Sequence, residues 1–225
     1  MQTLAAKLRA GLAALELSLS DAQIDSLLAY QELIGKWNKV YNLTAVRDPG
    51  EMLTLHLLDS LAVIVPLRRQ LAQLAPGAET QAWRLLDVGS GAGLPGVVIA
   101  ICCPEIRVDC VDTVGKKAAF IQQVAVTLKL PNLRGVHARV ENLTESYQVI
   151  SSRAFASLVD FTNWSAQALA PQGIWLAMKG KSPAEELVAL SPEVQVFHVE
   201  QLLVPGLAAE RCLIWMKPVA HQDEK

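Results

Sequence analysis

The chain has 225 residues, of which 52% are hydrophobic and 19% charged, with a formal net charge of −2. That apolar fraction excludes a disordered chain and suits one α/β core with an extension, or at most two small domains. The slight acidity counts against a general nucleic-acid binder, which is basic as a whole, so any RNA contact must come from a local patch.

In chain order, Leu4, Leu8, Leu12 and Leu15 space out one stripe of an amphipathic helix within the first 17 residues. This is unlike the apolar segment of a secretory signal, so the protein is expected to be cytoplasmic. Ser20-Asp21 can cap a helix carrying Ile24, Leu27, Leu28, Ile34 and Trp37, and Asp48-Pro49-Gly50-Glu51 reads as a capping box with proline at the first helical position. The apolar runs from Met52 to Pro66 and from Leu94 to Pro104 are too short to cross a bilayer, and the first carries His56 and Asp59. Pro76-Gly77 marks a break. Residues 1–80 are therefore expected to form an N-terminal helical extension, and residues 81–225 one compact domain.

The stretch Leu85-Leu86-Asp87-Val88-Gly89-Ser90-Gly91-Ala92-Gly93-Leu94-Pro95-Gly96 reads as a buried strand, a glycine-rich turn and a helix. Glycines at 89, 91 and 93 allow a sharp bend and close approach of a ligand, and a helix starting at Leu94 would offer unpaired N–H groups to an anion. The dinucleotide pattern G-x-G-x-x-G needs glycine at 94, where this chain has leucine. The spacing G-x-G-x-G with Asp87 two residues ahead instead favours S-adenosylmethionine, whose ammonium can meet the carboxylate while the helix N-terminus receives its carboxylate.

Arg107 to Asp112 is the next strand pattern, ending in an acid 23 residues beyond Gly89, about where a ribose-binding carboxylate follows the glycine loop in doubly wound folds. A helix is expected from Gly115 to Leu130, a third strand from Leu133 to His137, and then Arg139-Val140-Glu141-Asn142, polar groups placed where an adenine edge would lie. Further strands are expected at Tyr147–Ser151, Ile174–Met178, Val194–His198 and Cys212–Met216. The alternation predicts an α/β, Rossmann-like class I methyltransferase fold with a seven-stranded, mostly parallel sheet and an antiparallel final hairpin.

Cys102, Cys103, Cys110 and Cys212 form no C-x-x-C pair and sit in apolar runs, so they read as buried hydrophobes and no metal site is expected. The histidines at 56, 137, 198 and 221 form no spaced pair and read as structural. Methyl transfer from a sulfonium needs mainly an aligned acceptor. Strand four ends in Ser151-Ser152-Arg153-Ala154-Phe155, without the Asn/Asp-Pro-Pro-aromatic sequence of amino-group methylases, and Cys103 is misplaced for carbon methylation of cytosine. A ring nitrogen such as guanine N7, already nucleophilic, needs neither device. Arg139, Arg153, Lys179, Lys181 and Arg211 fall near strand ends and could hold phosphate.

Nearly the whole chain resembles the glucose-inhibited division protein B family of small-subunit rRNA guanine-N7 methyltransferases. The resemblance rests on Trp37-Asn38-Lys39-Val40-Tyr41-Asn42-Leu43-Thr44, His56-Leu57-Leu58-Asp59-Ser60, the Leu85 to Gly96 loop, Ser152-Arg153-Ala154-Phe155-Ala156-Ser157-Leu158 and Met178-Lys179-Gly180. It implies S-adenosylmethionine bound through Gly89, Leu94, Val140, Glu141 and Arg153, beside Asp87, Gly91 and Asp112 in the roles argued above. It implies a guanine in the decoding-region loop of 16S rRNA as substrate, within the 30S subunit or an assembly intermediate, with Arg139, Lys179 and Arg211 holding RNA phosphate or orienting the base. A monomer without membrane or DNA partners is expected. Gln148 departs from the family's frequent acidic residue, and Asp112-Thr113-Val114 from its usual Asp-Ser-Leu. Competing readings are a methyltransferase for a small molecule or protein, a nicotinamide oxidoreductase disfavoured by Leu94, and an interaction module on a degenerate fold.

Overall fold

Local capping decides where the first helices begin. In the computed structural model, which describes residues 3–74 and 83–219, the Thr3 hydroxyl accepts from Ala6 N–H ahead of α1 (Leu4–Ala14). Ser20 and Gln23 form a reciprocal capping box for α2 (Asp21–Tyr41), which ends at Asn42 in a left-handed conformation. Asp48 accepts from Glu51 N–H at 2.9 Å and starts α3 (Pro49–Met52), with proline in the first turn as expected. The Pro76-Gly77 break and His221 lie outside the described residues.

Beyond Met52 the helix continues as a π-helical turn (Leu53–Leu58), α4 (Asp59–Leu61) and α5 (Ile64–Leu74). This corrects the expectation of a short apolar run: Pro49–Leu74 is 26 residues, long and apolar enough by length and composition to cross a membrane. Its most apolar window is 72% buried inside the protein, which is how a core helix of a folded domain satisfies the same composition.

Among the described residues, seven strands form one sheet in the order β3-β2-β1-β4-β5-β7-β6: β1 (Trp83–Val88), β2 (Ile106–Asp112), β3 (Leu133–His137), β4 (Tyr147–Arg153), β5 (Leu169–Lys179), β6 (Val194–Gln201) and β7 (Cys212–Pro218). The first five are mutually parallel, and β7 is antiparallel to both β5 and β6. Helices on both faces leave β1 and β4 buried almost without alternation along their length. Strand order reverses between β1 and β4, the point at which the connections diverge and a crevice opens beyond the carboxyl ends. Strand β5 begins five residues earlier than expected because Tyr147 pairs with Leu169 across a bulge. The Pro171-Gln172-Gly173 segment lies within that irregularity.

The connecting helices are α6 (Gly96–Cys102), α7 (Gly115–Thr127), α8 (Leu158–Ser165) and α9 (Ala184–Val188). One buried apolar cluster runs from Leu8 through α2, α5 and α6 to Trp215, and a second, from Leu86 to Met216, fills the opposite face of the sheet. Among the described residues, the N-terminal helical region thus supplies 18 of the 43 buried residues of the first core. The buried Tyr30 hydroxyl donates to Ala92 O at 2.6 Å, Gln23 Nε2 to Ile101 O at 3.0 Å, and Arg68 to Cys102 O at 2.8 Å.

Candidate active site

The turn after β1 is bent by glycines with positive φ: Gly89 (63°), Gly91 (59°) and Gly93 (90°). At Gly89 a Cβ would overlap the Phe155 ring, so the absence of a side chain lets the β4–α8 loop close over the turn. Asp112, at the tip of β2, braces the bend. Its Oδ2 accepts from Gly91 N–H at 3.0 Å, its Oδ1 from Val114 N–H at 2.9 Å, and Lys117 Nζ lies 3.4 Å away.

Asp87 takes a different place from the one its spacing suggested. It is fully buried, and its oxygens accept from Gly96 N–H and Ser151 Oγ, both at 2.9 Å, because the β1–β4 register sets Asp87 beside Ser151. The expectation of unpaired N–H groups at Leu94 is likewise corrected. Helix α6 starts at Gly96, Leu94 is buried, and its N–H donates to Ser90 O at 3.1 Å. The two aspartates use the loop amides that a ligand would otherwise meet.

Burial pushes the Asp87 carboxyl up from 3.8 to about 6, against the opposing pull of the Gly96 amide and the Ser151 hydroxyl. The folded chain therefore holds this proton to higher pH than the unfolded chain, so the group's contribution to stability falls as pH rises from about 4 to about 6. A shift of this size corresponds to about 3 kcal/mol. Asp87→Asn keeps the shape and an acceptor for Gly96. Chemical denaturation across this pH window should show the variant gaining on the parent by up to about that amount; a pH-independent difference contradicts the assignment.

A cleft of about 450 Å³ opens beside the turn. Val88, Gly89, Val111, Asp112, Val114 and Lys117 line it from one side, and Ala138, Arg139, Val140, Glu141, Ala154, Phe155 and Trp164 from the other. Val140 and Glu141 belong to a short 3-10 turn that follows β3, with Val140 buried and Glu141 exposed. Of the residues expected at a cofactor, the structure gathers Gly89, Asp112, Val140 and Glu141 here, together with Arg139; Arg153 lines the adjoining cleft, and Asp87, Gly91 and Leu94 are not among the lining residues of either.

A second cleft of about 350 Å³ adjoins the first at Ala154, which lines both. Its walls are Leu55, His56, Asp59, Arg153, Met178, Lys179, Gly180 and Arg211. Here the N-terminal helices enter the site. Asp59 Oδ2 accepts from Arg153 Nη1 and Asp59 Oδ1 from Arg211 Nε, both at 2.7 Å, so one buried carboxylate holds two guanidinium groups. Lys179 Nζ donates to Ala156 O at 3.0 Å and to both oxygens of Glu186, at 2.8 and 3.1 Å.

The sequence pattern marks His56 as structural, assigns Asp59 no role and gives no signal for Trp164 or Lys117. His56 lines the second cleft with its Nε2 2.8 Å from Thr44 Oγ1, and burial lowers its pKa, so the ring is neutral at pH 7. Asn38 positions Thr44 by accepting from its N–H at 2.9 Å. The Trp37 to Thr44 and His56 to Ser60 segments were visible in sequence but carried no spacing rule linking them, because they meet only through α2 and the π-helical turn. Phe155 and Trp164 pack edge to face, 5.8 Å between centroids, at the rim of the first cleft. Cys103 is fully buried, and burial raises its thiol to about 11, which leaves no thiolate for nucleophilic attack.

A known family, rRNA small subunit methyltransferase G, matches residues 23–214. Proteins named ribosomal RNA small subunit methyltransferase G are 69% identical in Albidiferax ferrireducens over 223 residues, covering 98% of this chain and 100% of that one, and 66% identical in Polaromonas naphthalenivorans over 219 residues, covering 97% and 98%. Among solved structures, a SAM-dependent methyltransferase from Aquifex aeolicus superposes with a TM-score of 0.54 at 15% identity over 76% of this chain and 99% of that one. TrmN from Thermus thermophilus gives 0.52 at 19% identity over 68% of this chain and 48% of that one. At these identities the solved structures establish the doubly wound methyltransferase fold.

Proposed function

Since this chain belongs to the rRNA small subunit methyltransferase G family, we propose that it transfers a methyl group from S-adenosylmethionine to N7 of a guanine in 16S rRNA of the bacterial 30S subunit, in the cytoplasm. The observation that carries this reading is the pair of clefts joined at Ala154, one suited to a nucleoside donor and the other, bordered by Asp59, Arg153, Lys179 and Arg211, set beside it.

The first cleft fits the donor by the chemistry of its walls. Val88, Val111, Val114 and Val140 offer apolar faces to a purine, and Asp112 retains acceptor capacity for ribose hydroxyls at the tip of β2. When bound, the donor supplies a sulfonium methyl that is already activated. The protein's share is then alignment, and no general base is required, because N7 carries a free lone pair. Gly89 admits the ligand at the turn, Asp112 and Glu141 hold its nucleoside end, and Phe155 excludes water from the rim. Arg139 stands exposed at the first cleft, where it can take an RNA phosphate. One chain lines both clefts, so a monomer suffices.

Incubation with labelled S-adenosylmethionine and 30S particles from a strain lacking the activity should place the label on N7 of one guanine, in a product that ribonuclease destroys. No incorporation rejects the reading, and label that survives ribonuclease transfers it to a protein or small-molecule acceptor.

A further inference from the structure

The carboxyl end of α2 carries a feature that neither cleft uses. Three aromatic rings run outward from the core: Phe120 of α7 is fully buried, Trp37 packs on it with 5.3 Å between centroids, and Tyr41 packs on Trp37 at 5.1 Å. The last ring of this column ends at the surface. Tyr41 is 38% exposed and Val40 beside it 71% exposed, and with Trp37 they stand at i, i+3 and i+4, on one face of the last turn.

Cations flank that face. Lys36 lies one helical turn before Val40, and the carboxylate of Glu32 is 3.9 Å from its ammonium with both side chains at least 70% exposed, a pair that water screens. Lys116 is exposed one turn before Phe120 on α7 and has no acid within salt-bridge distance among the described residues. The face is also tied to both clefts. Asn38, next to Trp37, accepts from Thr44 N–H at 2.9 Å, and Thr44 Oγ1 lies 2.8 Å from Nε2 of His56 in the wall of the second cleft. Phe120 belongs to the helix that begins at Gly115, between Val114 and Lys117 of the first.

We propose that this face is a docking platform for single-stranded 16S rRNA beside the target nucleotide: an unstacked base lies against Tyr41 and Val40 and continues the ring column, with neighbouring phosphates at Lys36 and Lys116. The inference rests on the rRNA methyltransferase reading above and deepens it by giving part of the substrate a seat outside the clefts. A ring braced from beneath by Trp37 and Phe120 is already ordered, so a base that stacks on it costs little side-chain freedom, and every base has a face that can stack. On a chain of net charge −2, phosphate contacts must be local, and lysines beside an exposed ring are the combination that holds a single strand.

Steady-state methylation of 30S particles from a strain lacking the activity supplies the test. Tyr41→Ala should raise KM for the particle about 10-fold, the scale of one lost base stack, with kcat and the calorimetric affinity for S-adenosylmethionine at the parent values. Tyr41→Phe keeps the ring and should keep the parent KM. Val40→Glu removes no packing from the core and should also raise KM, more at low salt than at high. Replacing both Lys36 and Lys116 with glutamine should flatten the dependence of log KM on log salt. With Tyr41 replaced by a photoreactive benzoylphenylalanine, the crosslink should form to 16S rRNA. Parent KM in both Tyr41→Ala and Val40→Glu overturns the platform, as does a loss confined to kcat, or a crosslink to a ribosomal protein, which would make the face a protein contact. If Tyr41→Ala lowers the melting temperature, Val40→Glu decides. If the parent methylates no particle, the functional reading fails and the platform with it; if the parent methylates and the variants are indifferent, the platform alone fails.

Discussion

Replacing Asp112 with alanine should weaken binding of S-adenosylmethionine by about 100-fold, the equivalent of one or two charge-assisted hydrogen bonds. The carboxylate does two things at once. It accepts from Gly91 and Val114 N–H and pairs with Lys117, so it holds the glycine turn against the start of α7, and it also lines the cleft as the acceptor nearest the tip of β2. Alanine leaves two amides and an ammonium without their partner and removes the ribose acceptor. Asp112→Asn, which retains one carbonyl oxygen, should fall between the two. Calorimetric titration with S-adenosylmethionine reads the effect directly, and an alanine variant that binds as tightly as the parent would remove Asp112 from the site.

The second large effect is expected at Gly96, where the reason is steric. The first residue of α6 packs so closely on β1 and β2 that a Cβ would overlap Cys110 Sγ and come within 2.9 Å of Asp87 Oδ2. Both neighbours are fully buried and neither has space to retreat. Gly96→Ala should therefore displace α6 and the glycine turn together, costing about 3 kcal/mol of stability, the upper part of the range for overpacking a core. Cofactor affinity should fall with it, because Gly96 N–H is the donor that fixes Asp87. Cys110→Ala removes the nearer obstacle. The double variant should recover part of the lost stability in a thermal melt, a coupling that two independent defects would not show. Additive losses contradict the packing argument.

How much of this was legible beforehand varies with the range of the forces involved. The caps at Ser20 and Asp48, the glycine turn and the seven strand patterns depend on neighbours within a few residues, and the structure contains each of them. The antiparallel partner at the sheet's end also followed from the order of the patterns. Asp87 could not be read the same way. Its position two residues before the first glycine is compatible with facing a ligand or facing the core, and the choice is made by Ser151, 64 residues later, through the register between β1 and β4. At Leu94 the expected unpaired N–H groups are absent because the Ser90 carbonyl and the two aspartates satisfy the loop internally.

The sequence by itself determined the fold class, the cofactor-type turn and the family, because period, glycine spacing and motif identity are properties of short segments. Tertiary structure alone decided that Asp59 and His56 of the N-terminal helices stand beside Arg153, Lys179 and Arg211. Asp59 pairs with residues 94 and 152 positions away, and only the packing of Pro49–Leu74 against the carboxyl ends of the strands brings them within hydrogen-bonding reach. Short-range preferences specify elements; which charged side chains end up sharing one buried site is settled by how those elements pack.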